Sequence, residues 1–378
     1  MQVSLTEEQE LFSETTERFL ATKSPASAIR ALRHSADGFE RHQWSEGAAL
    51  GWVSLLVPEH LGGGSVSGDG LIDLTIVADA FGRHVAAGPL LPANVVAGAI
   101  ARAGTHEQRD AYLPGLMAGE LIPAWSIGPP AADGTVNTGI VSRLDGDSLV
   151  LCGSQAPVEA ANQADLILVT AHGDNGPTQV LLPTGHPGLT ITPLESLDMT
   201  RRFALLDLTE VRVPVTALLG QPGNASSEIE RQLQVALVIQ AAESVGAAQR
   251  VFDFTLRWAF DRYSFGRPLA SYQEIKHRFA DMKTWLEASH AVAASAARSV
   301  QQQSADASTD VSVAAAYIGD VLPELVQDCV QIHGGIGVTF DHDIHLFLRR
   351  VTVNRALHGT PAEHRQRIVT FDERVGVA

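Results

Sequence analysis

Between about Leu121 and Leu219 the chain changes its hydrophobic period, and sequence of helical period lies on both sides of that stretch. The runs Ser148 to Cys152, Leu166 to Ala171, Gln179 to Leu182, Leu189 to Pro193 and Phe203 to Val213 are short and rich in Val, Leu, Ile and Thr. They are separated by Gly, Asp, Asn and Pro, and runs bounded in this way by turn formers read as strands. The flanking segments repeat apolar residues at helical spacing. The fold class is therefore α+β, mainly α. It is expected as an N-terminal helical domain over 1–119, a middle antiparallel β domain over 120–222 and a C-terminal four-helix bundle over 223–378.

The helices carry their own punctuation. Thr6-x-x-Gln9 is a capping box opening a helix that carries Leu11, Phe12, Phe19 and Leu20. A Gly/Pro-rich segment from Gly51, GWVSLLVPEHLGGGSVSG, reads as a long loop, and helical runs follow from Leu71 to Phe81 and from Pro92 to Ala103. In the C-terminal part, Ser227-x-x-Glu230 is expected to cap a helix bearing the stripe Leu233, Leu237, Val238, Ala241, Val245 and Ala248 and reaching Trp258. Ser271-x-x-Glu274 is expected to cap the next, which ends near Val300. After the polar linker QQQSADASTD, a third helix starts near Asp310 and is kinked at Pro323; a fourth follows Asp341 with Ile344, Leu346 and Phe347. Arg349 and Arg350 read as a helix C-terminal charge pair or a subunit contact, and Arg201 and Arg202 as structural.

With 378 residues and 45% hydrophobic content, the chain can bury a large core. A net charge of -16 argues against nucleic acid and against an anionic membrane surface as partners. Cys152 and Cys329 are too few and too far apart for a metal site or a disulfide framework. His333, His342 and His345 cluster in sequence without a carboxylate or thiolate at ligand spacing, so no metal is expected. The start, MQVSLTEEQELF, has neither the basic nor the apolar region of an export signal, and no membrane span is expected. The cytoplasm is the default location.

Two stretches carry the chemistry. In DRYSFGRPLASYQEIKHRFADM, from Asp261, the pattern of one helix breaks at Arg262, Ser264, Phe265 and Gly266 before the next begins. The turn presents a guanidinium, a hydroxyl, an aromatic face and bare backbone at one corner, which suits a phosphate and an adenine. In QIHGGIG, Gln331 to Gly337, Gly334 and Gly335 allow close approach to the backbone. In this order and spacing, the two motifs resemble those of the acyl-CoA dehydrogenase family. The resemblance spans essentially the whole length and implies the fold of that family with FAD as cofactor. It implies that Arg262, Ser264, Phe265, Tyr272, Gln273, Gln331, Gly334 and Gly335 reach the adenosine diphosphate part of a neighbouring subunit's FAD. The reaction it implies is α,β-dehydrogenation of an acyl-CoA thioester, with an electron-transfer flavoprotein as acceptor and a homo- or heterotetramer as the assembly.

The chain departs from the family where a subunit serves its own flavin. The first flavin signature of the β domain, Thr-Glu-Pro-x-Ala-Gly-Ser-Asp, is replaced by SIGPPAADG over Ser126 to Gly134, and the second, a Trp-x-Thr or Trp-x-Ser pair, is lost from SQAPVEAANQADLILVTA. The family's Glu-Gly-Thr base motif reads His358-Gly359-Thr360, and its alternative base position on the first bundle helix falls on Ala236. Thr360 keeps the place of the family's flavin-bonding Thr, although the Gln expected two residues later is Ala362. Glu243, about two helical turns after Ala236 and on roughly the same face, has two readings. It is a catalytic base, or it is one half of a helix-interface ion pair to Arg250 or to a partner subunit. His358 is the other candidate base. Trans contacts are kept and cis contacts degraded, a pattern similar to the degenerate subunit of bacterial heterotetrameric acyl-CoA dehydrogenases. The rivals are a self-sufficient homomeric enzyme using Glu243 and a non-catalytic structural subunit that binds no flavin.

Overall fold

The computed structural model describes residues 5–132 and 135–376. Six helices come first: α1 Glu7–Lys23, α2 Ala26–Ala31, α3 Arg41–Ala48, α4 Gly70–His84, α5 Leu90–Ala103 and α6 His106–Met117. Eight strands follow: β1 Pro123–Ser126, β2 Ile140–Asp145, β3 Ser148–Glu159, β4 Leu166–Gly173, β5 Gly176–Pro183, β6 Leu189–Leu194, β7 Phe203–Pro214 and β8 Leu218–Leu219. The long helix α7 Ser226–Asp261 leads into a minimal hairpin, β9 Tyr263–Ser264 and β10 Arg267–Pro268. Helices α8 Gln273–Gln301, α9 Ala307–His333, α10 Ile344–Ala356 and α11 Pro361–Gly376 complete the chain. The fold is mainly helical with one sheet between helical segments, as the change of hydrophobic period predicts.

The chain forms two compact units. One comprises Arg30–Leu74 and Ala87–Ala236 and contains the sheet, in the order β6-β7-β3-β2-β4-β5-β8 with β1 paired to β4. Most pairings are antiparallel, but β1 runs parallel to β4 and β2 meets β4 in parallel at Val141 and His172. Alternation places Ile140, Leu151, Ile167, Val169, Val180 and Leu206 in one buried cluster. The GWVSLLVPEHLGG segment holds no α-helix or strand, as expected of a loop, but Trp52, Val53, Leu55 and Val57 in it are buried rather than at the surface. Arg201 and Arg202 are structural, as expected. Arg201 is buried against Glu159 at 3.4 Å, and Arg202 donates to the carbonyls of Leu32 and Ser35 at 2.6 and 3.0 Å.

The other unit comprises Met1–Ile29, Thr75–Ala86 and Leu237–Ala378. The Thr6–Gln9 capping box forms as predicted, but Leu11 of the same helix is exposed. Two other expected caps do not form. Helix α7 starts at Ser226, which puts Ser227 inside its first turn, and α8 starts at Gln273, because the Ser271 hydroxyl instead donates to the Pro268 carbonyl at 2.7 Å. Helix α9 starts at Ala307, before Asp310, and continues past Pro323 to His333. A further helix, α11, follows the fourth, with Pro361 at its first position, where the missing N–H is harmless. Where α4 and α7 cross, a Cβ on Gly82 would stand 1.9 Å from the Glu243 carbonyl and one on Gly246 2.1 Å from the Asp79 carbonyl. Only glycine permits that approach, which brings Glu243 deep into the packed interior.

Candidate functional site

The corner at the end of α7 is built by a two-residue hairpin. Ser264 pairs with Arg267 and Tyr263 with Pro268, leaving Phe265 and Gly266 as the turn, both at positive φ, 49° and 81°. Such a pair suits the twist of a tight hairpin, but an aromatic residue at the first position is strained relative to Gly or Asn. Phe265 is also 97% exposed. Tyr272, the N-cap residue of α8, donates its hydroxyl to the Ser264 carbonyl at 2.7 Å. Arg267 stacks its guanidinium 3.8 Å from the Tyr272 ring centre, a contact that no motif announces. Arg262 leaves the helix exposed, with its guanidinium 5.8 Å from the ring centre of Trp258. Gln273 is exposed at the first position of α8.

The second stretch ends α9. Gln331 is exposed, and Gly334 ends the helix at φ 66°. A Cβ added at Gly334 or Gly335 meets no heavy atom of this chain within 4 Å. The positive φ accounts for glycine at 334. Neither backbone angle nor crowding within the chain accounts for it at 335. Ile336, Val338 and Phe340 beside it are exposed apolar residues.

Glu243 lies elsewhere. One carboxylate oxygen accepts from Arg350 at 2.5 Å and the other from the Asn354 amide at 2.9 Å. Arg350 also donates to the Ala86 carbonyl at 3.0 Å, and Asn354 to the Ser244 hydroxyl at 2.9 Å. Gln240, one turn earlier on α7, donates to the carbonyls of Asn354 and Leu357, holding the end of α10 that leads to His358. The geometry is that of an interior ion pair whose partner is Arg350 rather than Arg250. Arg350 is thus buried, not a surface charge; its neighbour Arg349 lies 5.6 Å from the ring centre of Phe340.

His358 is half-buried at φ 58°, followed by Gly359 at 113°. Thr360 is exposed at the N-terminus of α11, where it forms a box with Glu363. Its backbone N–H and hydroxyl donate to the Glu363 carboxylate at 2.7 and 2.8 Å, and its oxygen receives the Glu363 N–H at 3.4 Å. These bonds, first that from the Thr360 backbone and then that from its hydroxyl, hold the Glu363 carboxyl below its usual range. The cap signal Thr-x-x-Glu with an intervening Pro could have disclosed α11 from sequence.

Among the described residues, no group of three or more His, Cys, Asp or Glu side chains is arranged to hold a metal ion. No described helix is long and apolar enough to cross a membrane. In the stretch that replaces the first flavin signature, Ala131 donates to Thr135 at 2.7 Å and Asn137 to Pro129 at 2.9 Å, so the loop bonds to itself. Asp133 and Gly134 of that stretch lie outside the described residues.

Residues 6–120 match the family model for the acyl-CoA dehydrogenase N-terminal domain, and residues 228–371 match that for the acyl-CoA dehydrogenase C-terminal domain. The chain belongs to the acyl-CoA dehydrogenase family. Acyl-CoA dehydrogenase IpdE2 of Mycolicibacterium smegmatis is 28% identical over 369 residues, covering 96% of this chain and 98% of that one. A variant of the Tcur3481-Tcur3483 steroid ACAD superposes with a TM-score of 0.88 at 28% identity, covering 98% of this chain and 99% of that one. The ChsE4-ChsE5 complex from Mycobacterium tuberculosis shares the fold, with a TM-score of 0.88 at 24% identity and full coverage of both chains. Within this acyl-CoA dehydrogenase chain, the residues that the resemblance assigns to a neighbour's flavin fall on the hairpin between α7 and α8, on the start of α8 and on the end of α9. The two candidate bases fall on an occupied ion pair and a left-handed loop.

Proposed function

We propose that this chain is one subunit of a heteromeric FAD-dependent acyl-CoA dehydrogenase, contributing flavin contacts to a homologous partner subunit. The observation that carries this reading is the exposed corner. Phe265 stands 97% exposed at φ 49°, and Gly335 faces open space. Both features are unfavourable or unneeded within the chain, and both fit an adenosine diphosphate laid against the corner. In that role Arg262 and Gln273 bind polar oxygens and Phe265 offers an aromatic face. Tyr272 braces the hairpin through the Ser264 carbonyl, and Gly334 and Gly335 admit the ligand to the backbone beside Gln331.

When bound, the flavin supplies the two-electron acceptor for oxidation of the Cα–Cβ bond of an acyl-CoA thioester. This chain's residues bind and orient it. Neither carboxylate oxygen of Glu243 is open to a substrate proton, since Arg350 and Asn354 hold them. The base therefore comes from the partner subunit, with an electron-transfer flavoprotein as the onward acceptor. The relative described as a steroid ACAD suggests a bulky acyl group. Thr360 serves α11 first, and His358 sits in the place of the family's base without a carboxylate's chemistry.

The test is bound flavin per chain and oligomer mass for the protein alone and after co-expression with a homologous subunit. Flavin found only in the mixed complex, at about one per two chains, supports the reading. Near-stoichiometric flavin on the chain alone overturns it and returns the homomeric alternative. In the complex, Arg262→Ala is expected to weaken flavin binding by about 1.5–3 kcal/mol.

A further inference from the structure

A cleft of about 650 Å³ opens within the helical unit that contains the C-terminal part of α7, and no residue assigned above to the flavin lines it. One wall is a stripe on the C-terminal half of α7 formed by Arg250, Phe254, Arg257, Trp258 and Asp261, spaced so that all fall on one helical face. His333 and His342 close the wall with rings 4.2 Å apart at their centroids, and Phe254 lies 5.6 Å from each. Trp258 stands 5.1 Å from His333. The result is a panel of four flat rings beside two guanidinium groups.

The panel contains polar atoms that the chain leaves unmatched. His333 is 5% exposed; its Nε2 lies 3.2 Å from the Thr255 hydroxyl, while its Nδ1 has no hydrogen-bond partner. The indole N–H of Trp258 is buried without an acceptor. A buried polar group left unpaired costs roughly 1–3 kcal/mol, so two beside one cleft mark a place where a ligand's heteroatoms are matched. Burial and the neighbouring His342 push His333 down to about 4, so its ring is neutral at pH 7.

Charge narrows the class. Among the described residues neither Arg257 nor Asp261 makes an ion pair, and Arg250 has only a longer-range attraction to Glu17. Arg83, which also lines the cleft, is tied to Asp79. Asp341 and Asp343 add carboxylates to the lining. A simple aryl carboxylate is small for this volume. An adenosine phosphate fills more of the volume, presents a flat heteroaromatic ring to the four-ring panel and presents an anion to Arg250 and Arg257.

We propose that this cleft is a second nucleotide site, separate from the flavin corner, which binds an adenosine phosphate between the aromatic stripe of α7 and the His333–His342 pair. The same chemistry occurs in a free nucleotide and in the adenosine end of coenzyme A. Isothermal titration of the full-length chain with AMP, ADP and adenosine 3′,5′-bisphosphate separates these sources. Tighter binding of AMP or ADP assigns a free nucleotide, and tighter binding of the bisphosphate assigns the coenzyme A end.

The Arg250→Ala/Arg257→Ala double variant is expected to bind the preferred ligand about tenfold more weakly or worse, with unchanged thermal midpoint and unchanged flavin content of the complex. Gln273→Ala is expected to leave that affinity within about twofold, since Gln273 lies outside the cleft. Absence of saturable binding by all three nucleotides overturns the proposal. So does binding that is lost in Gln273→Ala and kept in the double variant, which assigns the nucleotide to the flavin corner instead. His333→Phe, which keeps a flat ring but removes both nitrogens, is expected to weaken binding as well. Unchanged affinity in both the His333 and the double variants likewise overturns the site.

Discussion

Arg350 holds a guanidinium nitrogen 2.5 Å from a Glu243 carboxylate oxygen, with side chains 1% and 5% exposed. Asn354 and the Ala86 carbonyl satisfy further positions of the same pair. Neutralising one member of a buried pair leaves the other charge uncompensated. Glu243→Gln is therefore expected to destabilise the chain by about 3 kcal/mol in a denaturant titration. Replacing both, as Glu243→Leu with Arg350→Met, is expected to recover most of that loss. A catalytic base would behave differently: Glu243→Gln would then abolish turnover with little change in stability.

Phe265 offers a prediction with opposite signs in the two states of the protein. Its φ of 49° is one that L-residues adopt at a cost, and its ring makes little contact within the chain. Phe265→Gly is expected to stabilise the isolated chain by about 1 kcal/mol by relieving that strain. The same change is expected to weaken flavin binding in the mixed complex. A destabilised isolated chain would show that the hairpin depends on the ring.

The strands β4 to β7 were legible to within a few residues because alternation bounded by turn formers is a local signal, whereas β3 was read only as far as Cys152 of its span to Glu159 and β2 was missed. β1 is four residues long and wholly buried, so it shows no alternation, and β8 has only two residues. The hairpin corner was legible because Phe265-Gly266 and Pro268 interrupt a helical pattern. Arg350 was not, since its partner lies more than 100 positions away on another helix. The Gly82–Gly246 crossing, which seats Glu243 in the interior, has no local mark either. The Ser271 cap misled because Pro268 begins a tight turn that draws the Ser271 hydroxyl back to its own carbonyl.

Thr360 tests a local role against an inherited one. Its hydroxyl and backbone N–H bond Glu363, and its oxygen receives the Glu363 N–H. Thr360→Ala is expected to cost about 1 kcal/mol of stability through loss of the helix cap. Flavin content of the complex is expected to stay unchanged. A fall in flavin content without loss of stability would instead assign Thr360 to the cofactor.

Acid stability follows from two histidines. Burial first, and then the nearby Arg367, push His364 down to about 4, while burial and His342 push His333 to about the same value. Both folded values lie below the ordinary value of 6.5, so the unfolded chain binds more protons than the folded chain between those limits. Stability from these groups is complete above 6.5 and falls as pH drops toward 4, with little further change below that. For the fully buried His364 the loss is on the order of 2–3 kcal/mol. Chemical denaturation at a series of pH values is expected to show this slope in the wild type and a shallower one in His364→Gln. An identical slope in the variant would remove His364 as its source.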